Sequence, residues 1–217
     1  MVSLGPGDAD LVTLKALKAL KSSNAICVPT KSYNNSFEKS LTYSIVSQLM
    51  REYSFSKPLI AVYAPMQYQF KDWQNQVEII CKALEEHKVV SFVTLGDSGI
   101  YSSVYYLLEI IKAKNPKLYY ESEVIAGVTS FSEASARVKK PLCIGDSRLE
   151  ITPLVDDRKL PKTTIYMRPK VGMSTDDIKE SGEIYTFENL GYDNESVFLD
   201  KKPKVSKYMT LFIDFFK

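Results

Sequence analysis

Asp97 stands between Gly96 and Gly99 in the stretch Thr94-Leu95-Gly96-Asp97-Ser98-Gly99-Ile100-Tyr101. A carboxylate there can hold a cation, a hydroxyl or an amine, and the glycines let backbone approach a ligand closely. Before it, Val89 to Val93 is rich in β-branched and aromatic residues and reads as a buried strand. After it, Tyr101, Val104, Tyr105, Leu108 and Ile111 recur at helical spacing. Gly96–Gly99 is therefore a strand-to-helix turn, where an open α/β sheet binds its ligands. The alternative role for Asp97 or Ser98 is a helix cap.

The remaining chemistry narrows by exclusion. His87 is the single histidine, in Glu85-Glu86-His87-Lys88, so a catalytic triad or a histidine metal site is not expected. Cys27, Cys81 and Cys143 are far apart among apolar neighbours and read as buried free thiols of a reducing compartment. Gly5-Pro6-Gly7-Asp8 lacks the third glycine of a dinucleotide fingerprint, and no Gly-Lys-Ser/Thr follows it. Aspartates at these turns disfavour a polyphosphate. S-adenosyl-L-methionine fits instead: it offers a sulfonium, an ammonium, a ribose diol and an adenine, and no phosphate.

The elements that must position these turns alternate. Strands are expected at Met1–Leu4, Asn24–Val28, Leu59–Tyr63, Val89–Leu95 and Leu118–Ile125, with helices between them. One helix has Asp10 as its cap and Leu11, Leu14, Leu17 and Leu20 along it. A second opens at Ser36, and a third carries Phe70, Trp73, Val77, Ile80 and Leu84 on one face. This alternation implies a mostly parallel sheet with helices on both faces. Gly5–Asp8, Pro29–Lys31, Ala64–Met66, Gly96–Gly99 and Gly127–Ser130 then all line its carboxyl edge. Ser130 opens another helix, with Glu133 at capping-box spacing and Phe131, Ala134, Ser135 and Val138 facing inward. Beyond it helical periodicity weakens. Arg148–Thr152, Thr163–Met167, Glu183–Glu188 and Lys207–Phe216 read as strands, and Ser174–Glu180 as two turns of helix. Two α/β domains are expected, 1–116 and a strand-rich 117–217, with the active site in the cleft between them.

The chain has 217 residues, 45% hydrophobic and 25% charged, with a formal net charge of +2. These are globular values. The charge gives no ground for a nucleic-acid partner, and no apolar run reaches membrane-spanning length. With no signal-peptide layout at the N-terminus, a cytoplasmic protein is expected.

Four groups of residues carry a resemblance. They are Gly5-Pro6-Gly7-Asp8 with Leu11 to Ala16; Thr94 to Ser102; Ala126-Gly127-Val128-Thr129-Ser130-Phe131-Ser132; and a C-terminal set. That set comprises Ile165-Tyr166-Met167, Glu188-Asn189-Leu190-Gly191 and Tyr208-Met209-Thr210-Leu211. Together they resemble the tetrapyrrole methylase family, across nearly the whole chain. Ala64-Pro65-Met66, Ala136-Arg137, Pro141-Leu142 and Gly145-Asp146 are most similar to the branch that methylates C-20 of precorrin-2 or cobalt-factor II. The chain departs from the family in a short first strand, in Ser98 where proline is usual, and in a shortened segment at Arg168–Glu183.

The resemblance implies S-adenosyl-L-methionine as methyl donor, bound around Pro6, Gly96, Asp97, Ser98, Tyr101, Thr129, Ser130, Met167 and Gly191. Met167 has core filling as its alternative role. The implied substrate carries eight carboxylates, and Lys31, Arg137, Arg148 and Arg168, with Lys139 and Lys140, are the candidates to meet them. A reduced tetrapyrrole is electron-rich at its meso carbons, so no strong base is obligatory and none is assigned. Tyr101 and Lys31 are candidates to assist, with packing or carboxylate binding as their alternatives. A homodimer is implied too. Another carbon of the tetrapyrrole, or a relative that binds without turnover, stays open.

Overall fold

The computed structural model describes residues 1–217 except 35, 39, 66, 68, 153–161, 168, 179–181, 191 and 216–217. The chain divides into two compact units, 1–153 and 154–217.

In the first unit β1 (Val2–Ser3), β2 (Ala25–Thr30), β3 (Leu59–Tyr63) and β4 (Val90–Thr94) form a parallel sheet in the order β1-β4-β2-β3. Val2 pairs with Val93, and Cys27 lies between Phe92 and Ile60. Successive residues of a strand point to opposite faces, and the two cores divide accordingly. Ile26, Val28 and Val93 pack with α1 (Leu14–Ser22) and α2 (Leu41–Glu52). Cys27, Val62 and Phe92 pack with α3 (Phe70–Glu86) and α4 (Val104–Lys114). Both faces of the sheet are therefore covered by helices, and the β2 run Ala25–Val28 is buried throughout, as parallel strands require.

Helix starts fall where a side-chain oxygen takes a free N–H. Asp8 caps a short 3₁₀ turn at Ala9–Leu11, and Thr13, not Asp10, caps α1. Ser40, not Ser36, caps α2. Leu118–Ile125 is not the expected strand. Asn115 caps a further helix, α5 (Pro116–Glu121), with proline in its first turn, and only Ile125 reaches the sheet, in an isolated parallel bridge to Val2. Ser3 N–H donates to the Ile125 carbonyl at 3.1 Å, and Ile125 N–H to that of Met1 at 2.9 Å. These bonds, and burial of Ile125 in the β1 core, tie the chain beyond 116 to the first unit, past the expected domain boundary.

Thr129, rather than Ser130, caps α6 (Ser130–Val138), and the Glu133 carboxylate pairs with Arg137 instead of closing a capping box. The expected inner face of α6 is not buried, and Val138 is exposed. Arg148–Thr152 forms no strand, and Cys143, expected to be a buried thiol, lies exposed in the irregular stretch before it, whereas Cys27 is buried in β2.

In the second unit β5 (Thr164–Tyr166), β6 (Glu183–Glu188), β7 (Ser196–Leu199) and β8 (Thr210–Phe215) form an antiparallel sheet in the order β5-β8-β6-β7. β7, unforeseen in the sequence, pairs with β6 through Glu188↔Ser196 to Tyr185↔Leu199. Ser174–Ile178 makes turns, with Ser174 bridged to Lys204, instead of the expected helix; 179–180 lie outside the described residues.

Candidate methyl-donor site

Three turns meet at the carboxyl edge of the parallel sheet. Gly5 follows β1 and Gly96 follows β4, and each donates its N–H to the other's carbonyl, at 3.1 and 2.7 Å. Both have left-handed backbone, φ 73° and 72°, which glycine adopts without strain. Gly127 closes over this pair. A Cβ on Gly127 would lie 2.6 Å from the Gly96 carbonyl oxygen, 2.7 Å from Ser3 Cβ and 3.4 Å from Gly5 N. Only a residue without a side chain brings the third turn this close.

Asp97 fastens the same junction. Its Oδ1 accepts the N–H of Gly99 at 3.1 Å and that of Gly127 at 3.3 Å. It does not cap a helix: Ser103 precedes α4, without a side-chain bond. Ser98 is buried and donates its N–H to Ser3 Oγ at 2.9 Å. A proline there would have no N–H to give. Tyr101 has φ 49°, rare for a non-glycine residue. Its hydroxyl donates to the Ile151 carbonyl at 3.1 Å while most of its ring stays exposed.

Beside this junction lies a groove of about 390 Å³ lined by Pro6, Gly7, Asp8, Leu11, Ser130, Glu133, Ala134 and Arg137. Its size suits a small-molecule ligand. Its walls are the loop after β1 and the first turns of α6, so Pro6 and Ser130 share one cavity. Glu133 engages Arg137 Nε from one turn away. Glu133, with Asp8 nearby, raises the guanidinium pKa further and keeps Arg137 charged. Burial, then the charge of Asp97, pushes the Tyr105 phenol up.

Gly96, Asp97, Ser98, Thr129 and Ser130 thus sit at one edge, with Pro6 and Arg137 in the adjoining groove and Tyr101 following the turn. Lys31 is exposed just beyond β2, and Arg148 is exposed in a stretch without regular structure. Met167 follows β5 in the second unit and is exposed, so it is not core filler. Arg168 and Gly191 lie outside the described residues. Gly5, Ser3 and Gly127 are the additions. Their glycines were visible in the sequence, but contacts between residues so far apart in the chain were not.

Residues 1–203 match the model of one family, the Tetrapyrrole (Corrin/Porphyrin) Methylases. The chain belongs to that family. It is 31% identical over 152 residues to a protein of Methanocaldococcus jannaschii named "Probable cobalt-precorrin-2 C(20)-methyltransferase", covering 70% of this chain and 62% of that one. It is 30% identical over 154 residues to the cobalt-precorrin-2 C(20)-methyltransferase of Salmonella typhimurium, covering 69% and 60%. The chain thus spans about six-tenths of the length of these relatives. Its fold is similar to that of a solved cobalamin synthesis related protein, CobF, from Corynebacterium diphtheriae. There the TM-score is 0.53 at 13% identity, over 98% of this chain and 95% of that one. The two-domain α/β fold expected from the sequence is that of the family.

One family-like segment carries a buried, hydrogen-bonded carboxylate. Glu188 ends β6 with its side chain 1% exposed. Ser206 donates to its Oε1 at 2.8 Å, and Lys202 and Ser196 to its Oε2 at 2.9 and 3.2 Å. Lys207 Nζ lies 3.5 Å from Oε2. Burial alone would raise this carboxyl; the hydrogen bonds and the Lys202 charge overcome it and hold the pKa at about 2, below the ordinary 4.5. A depressed carboxyl adds stability above its unfolded pKa and loses it as pH falls towards the folded one. From the shift, roughly 2–3 kcal/mol should vanish between about pH 5 and pH 2. Urea midpoints measured across that window should fall in the parent and stay much flatter in Glu188→Gln. Equal slopes would show that this carboxylate carries no linkage.

Proposed function

We propose that this protein transfers a methyl group from S-adenosyl-L-methionine to C-20 of precorrin-2 or cobalt-factor II, a step in making a corrin. The observation that carries the reading is the meeting of Gly5–Asp8, Gly96–Gly99 and Gly127–Ser130 at one sheet edge. These are the turns whose sequences resemble the family's, and the C(20)-methyltransferase relatives support the carbon chosen.

The residues present fit the donor. Space is open at Gly96, where an added Cβ would meet no atom within 4 Å, so a ligand can lie against bare backbone. Asp8 and Asp97 supply negative charge for a cationic ligand, Glu133 being paired with Arg137, and no lysine-bearing phosphate loop is present. Pro6, Gly96, Asp97, Ser98, Tyr101, Thr129 and Ser130 would hold the donor. When bound, the donor supplies an electrophilic methyl on a sulfonium.

The protein's own residues do the rest by orientation and exclusion of water. The glycine junction fixes the backbone groups that set the donor's position. Lys31, Arg137 and Arg148 meet substrate carboxylates, Arg137 while still paired to Glu133. The substrate's meso carbon is itself the nucleophile: it takes the methyl as the methyl–sulfur bond breaks and then releases its own proton to solvent, so the site needs no activated side chain. A thermal-shift series tests the donor class: S-adenosylhomocysteine should raise the melting temperature, whereas NAD and ATP should not. Stabilisation by NAD or ATP alone would overturn the reading.

A further inference from the structure

The geometry points to Tyr33 and Tyr63 as a stacking platform for the flat conjugated ring of a carboxylate-bearing tetrapyrrole, with Lys31 pairing one of its carboxylates. The inference rests on the proposed function and adds to it the surface that receives the substrate's plane. Tyr63 is the last residue of β3 and pairs with Thr30, the last residue of β2. Both therefore sit at the carboxyl edge, where α/β sheets take their ligands.

The two tyrosine rings are stacked, with centroids 4.1 Å apart and planes 29° from parallel. Tyr33 is nonetheless 84% exposed. One face of its ring is covered by Tyr63 and the remainder lies open to solvent. Offset stacking favours a further flat ring on the open face.

The loop that carries Tyr33 is tied down on both sides. Thr30 Oγ1 donates to the Ser36 carbonyl at 2.7 Å and accepts the Ser32 N–H at 3.2 Å. Across the strand ends, Ala64 N–H donates to the Thr30 carbonyl at 2.8 Å. The neighbouring Tyr33 hydroxyl, then burial, pushes the Tyr63 phenol up to about 12. The Tyr63 ring therefore stays neutral at physiological pH and repels no anionic ligand. Lys31 is exposed two residues before Tyr33 in the same loop, and its cation is the group there that can pair with a carboxylate. Flat aromatic surface next to a lysine suits a conjugated macrocycle fringed with carboxylates better than it suits the methyl donor.

The test is a fluorescence titration with uroporphyrin, a porphyrin bearing eight carboxylates, with S-adenosylhomocysteine calorimetry as the control. Tyr33→Ala and Tyr33→Leu should each weaken uroporphyrin binding roughly fivefold, the scale of one aromatic stacking contact. Tyr33→Phe keeps the ring and should bind as the parent does. All three should keep the parental affinity for S-adenosylhomocysteine. Parental uroporphyrin affinity in Tyr33→Ala would overturn the platform, as would an equal loss of both ligands in that variant. A parent that binds S-adenosylhomocysteine but no uroporphyrin would also overturn it, leaving the donor site standing. A parent that binds neither would remove the proposed function itself.

Discussion

Gly127→Ala is expected to abolish measurable binding of S-adenosylhomocysteine and to destabilise the first unit by about 1–3 kcal/mol, the cost of overpacking a close-packed site. The added methyl would fall 2.6 Å from the Gly96 oxygen and 2.7 Å from Ser3 Cβ. The first is backbone and the second the root of a side chain on β1, so neither can swing aside. The turns must separate, breaking the Gly5–Gly96 bonds that set the edge. Gly96→Ala provides the contrast. Its methyl meets open space, so the fold loses only the roughly 1–2 kcal/mol of left-handed backbone. Donor binding should still fall, because the methyl would occupy the ligand's ground. Calorimetry on folded protein, beside thermal melts, separates the two. Parental affinity in Gly127→Ala would mean that the donor does not depend on this junction.

Asp97→Ala should weaken both the fold and the donor site, whereas Asp97→Asn should weaken the donor site alone. Alanine leaves the N–H groups of Gly99 and Gly127 without their acceptor, a loss of about 1.5–3 kcal/mol for bonds to a charged group. Asparagine keeps an oxygen at Oδ1 for both and should melt close to the parent. What it lacks is charge. If Oδ2 faces the donor's hydroxyls or its cationic end, affinity for S-adenosylhomocysteine drops about tenfold or more. An Asp97→Asn protein with parental melting temperature and parental affinity would reduce Asp97 to a fastener between turns.

The parallel sheet was legible because its strands are short apolar runs and because helical spacing fills the intervals, although β2, expected to stop at Val28, runs on through Pro29, which pairs with Val62. α5 was not. Leu118-Tyr119-Tyr120 and Val124-Ile125 have strand-forming side chains, but Asn115 and Pro116 supply a cap and a pre-set first turn, and those local signals prevailed. β7 escaped notice because four residues after a polar turn carry little periodicity; its pairing with β6 is what makes it a strand. The inner face assigned to α6 failed for a different reason. Its spacing is helical, but part of that helix lines a groove rather than a core.

The site was legible as a set of turns and not as a junction. Asp97 was visible as a carboxylate between glycines, with a ligand or a helix cap as its roles. The structure gives it a third, as acceptor for a turn thirty residues away. Gly127 reads in sequence as a strand exit. Its significance lies in Ser3 and Gly96, which no local pattern connects to it. Ser98 looked like a defect in a family turn, and its N–H turns out to be bonded to Ser3. The Tyr33–Tyr63 pair had no signature at all, because stacking across two strand ends appears only once the register of β2 and β3 is known.

The central claim is methyl transfer to a tetrapyrrole, and product analysis tests it most directly. The protein is incubated with precorrin-2, or its cobalt form, and S-adenosyl-L-methionine labelled with ¹³C in the methyl group. The product is then examined by mass spectrometry and NMR. The account predicts the gain of a single labelled methyl, bonded to C-20. A labelled methyl on another carbon would contradict the C-20 assignment, and an unchanged tetrapyrrole, with S-adenosylhomocysteine still bound by the protein, would contradict methyl transfer itself.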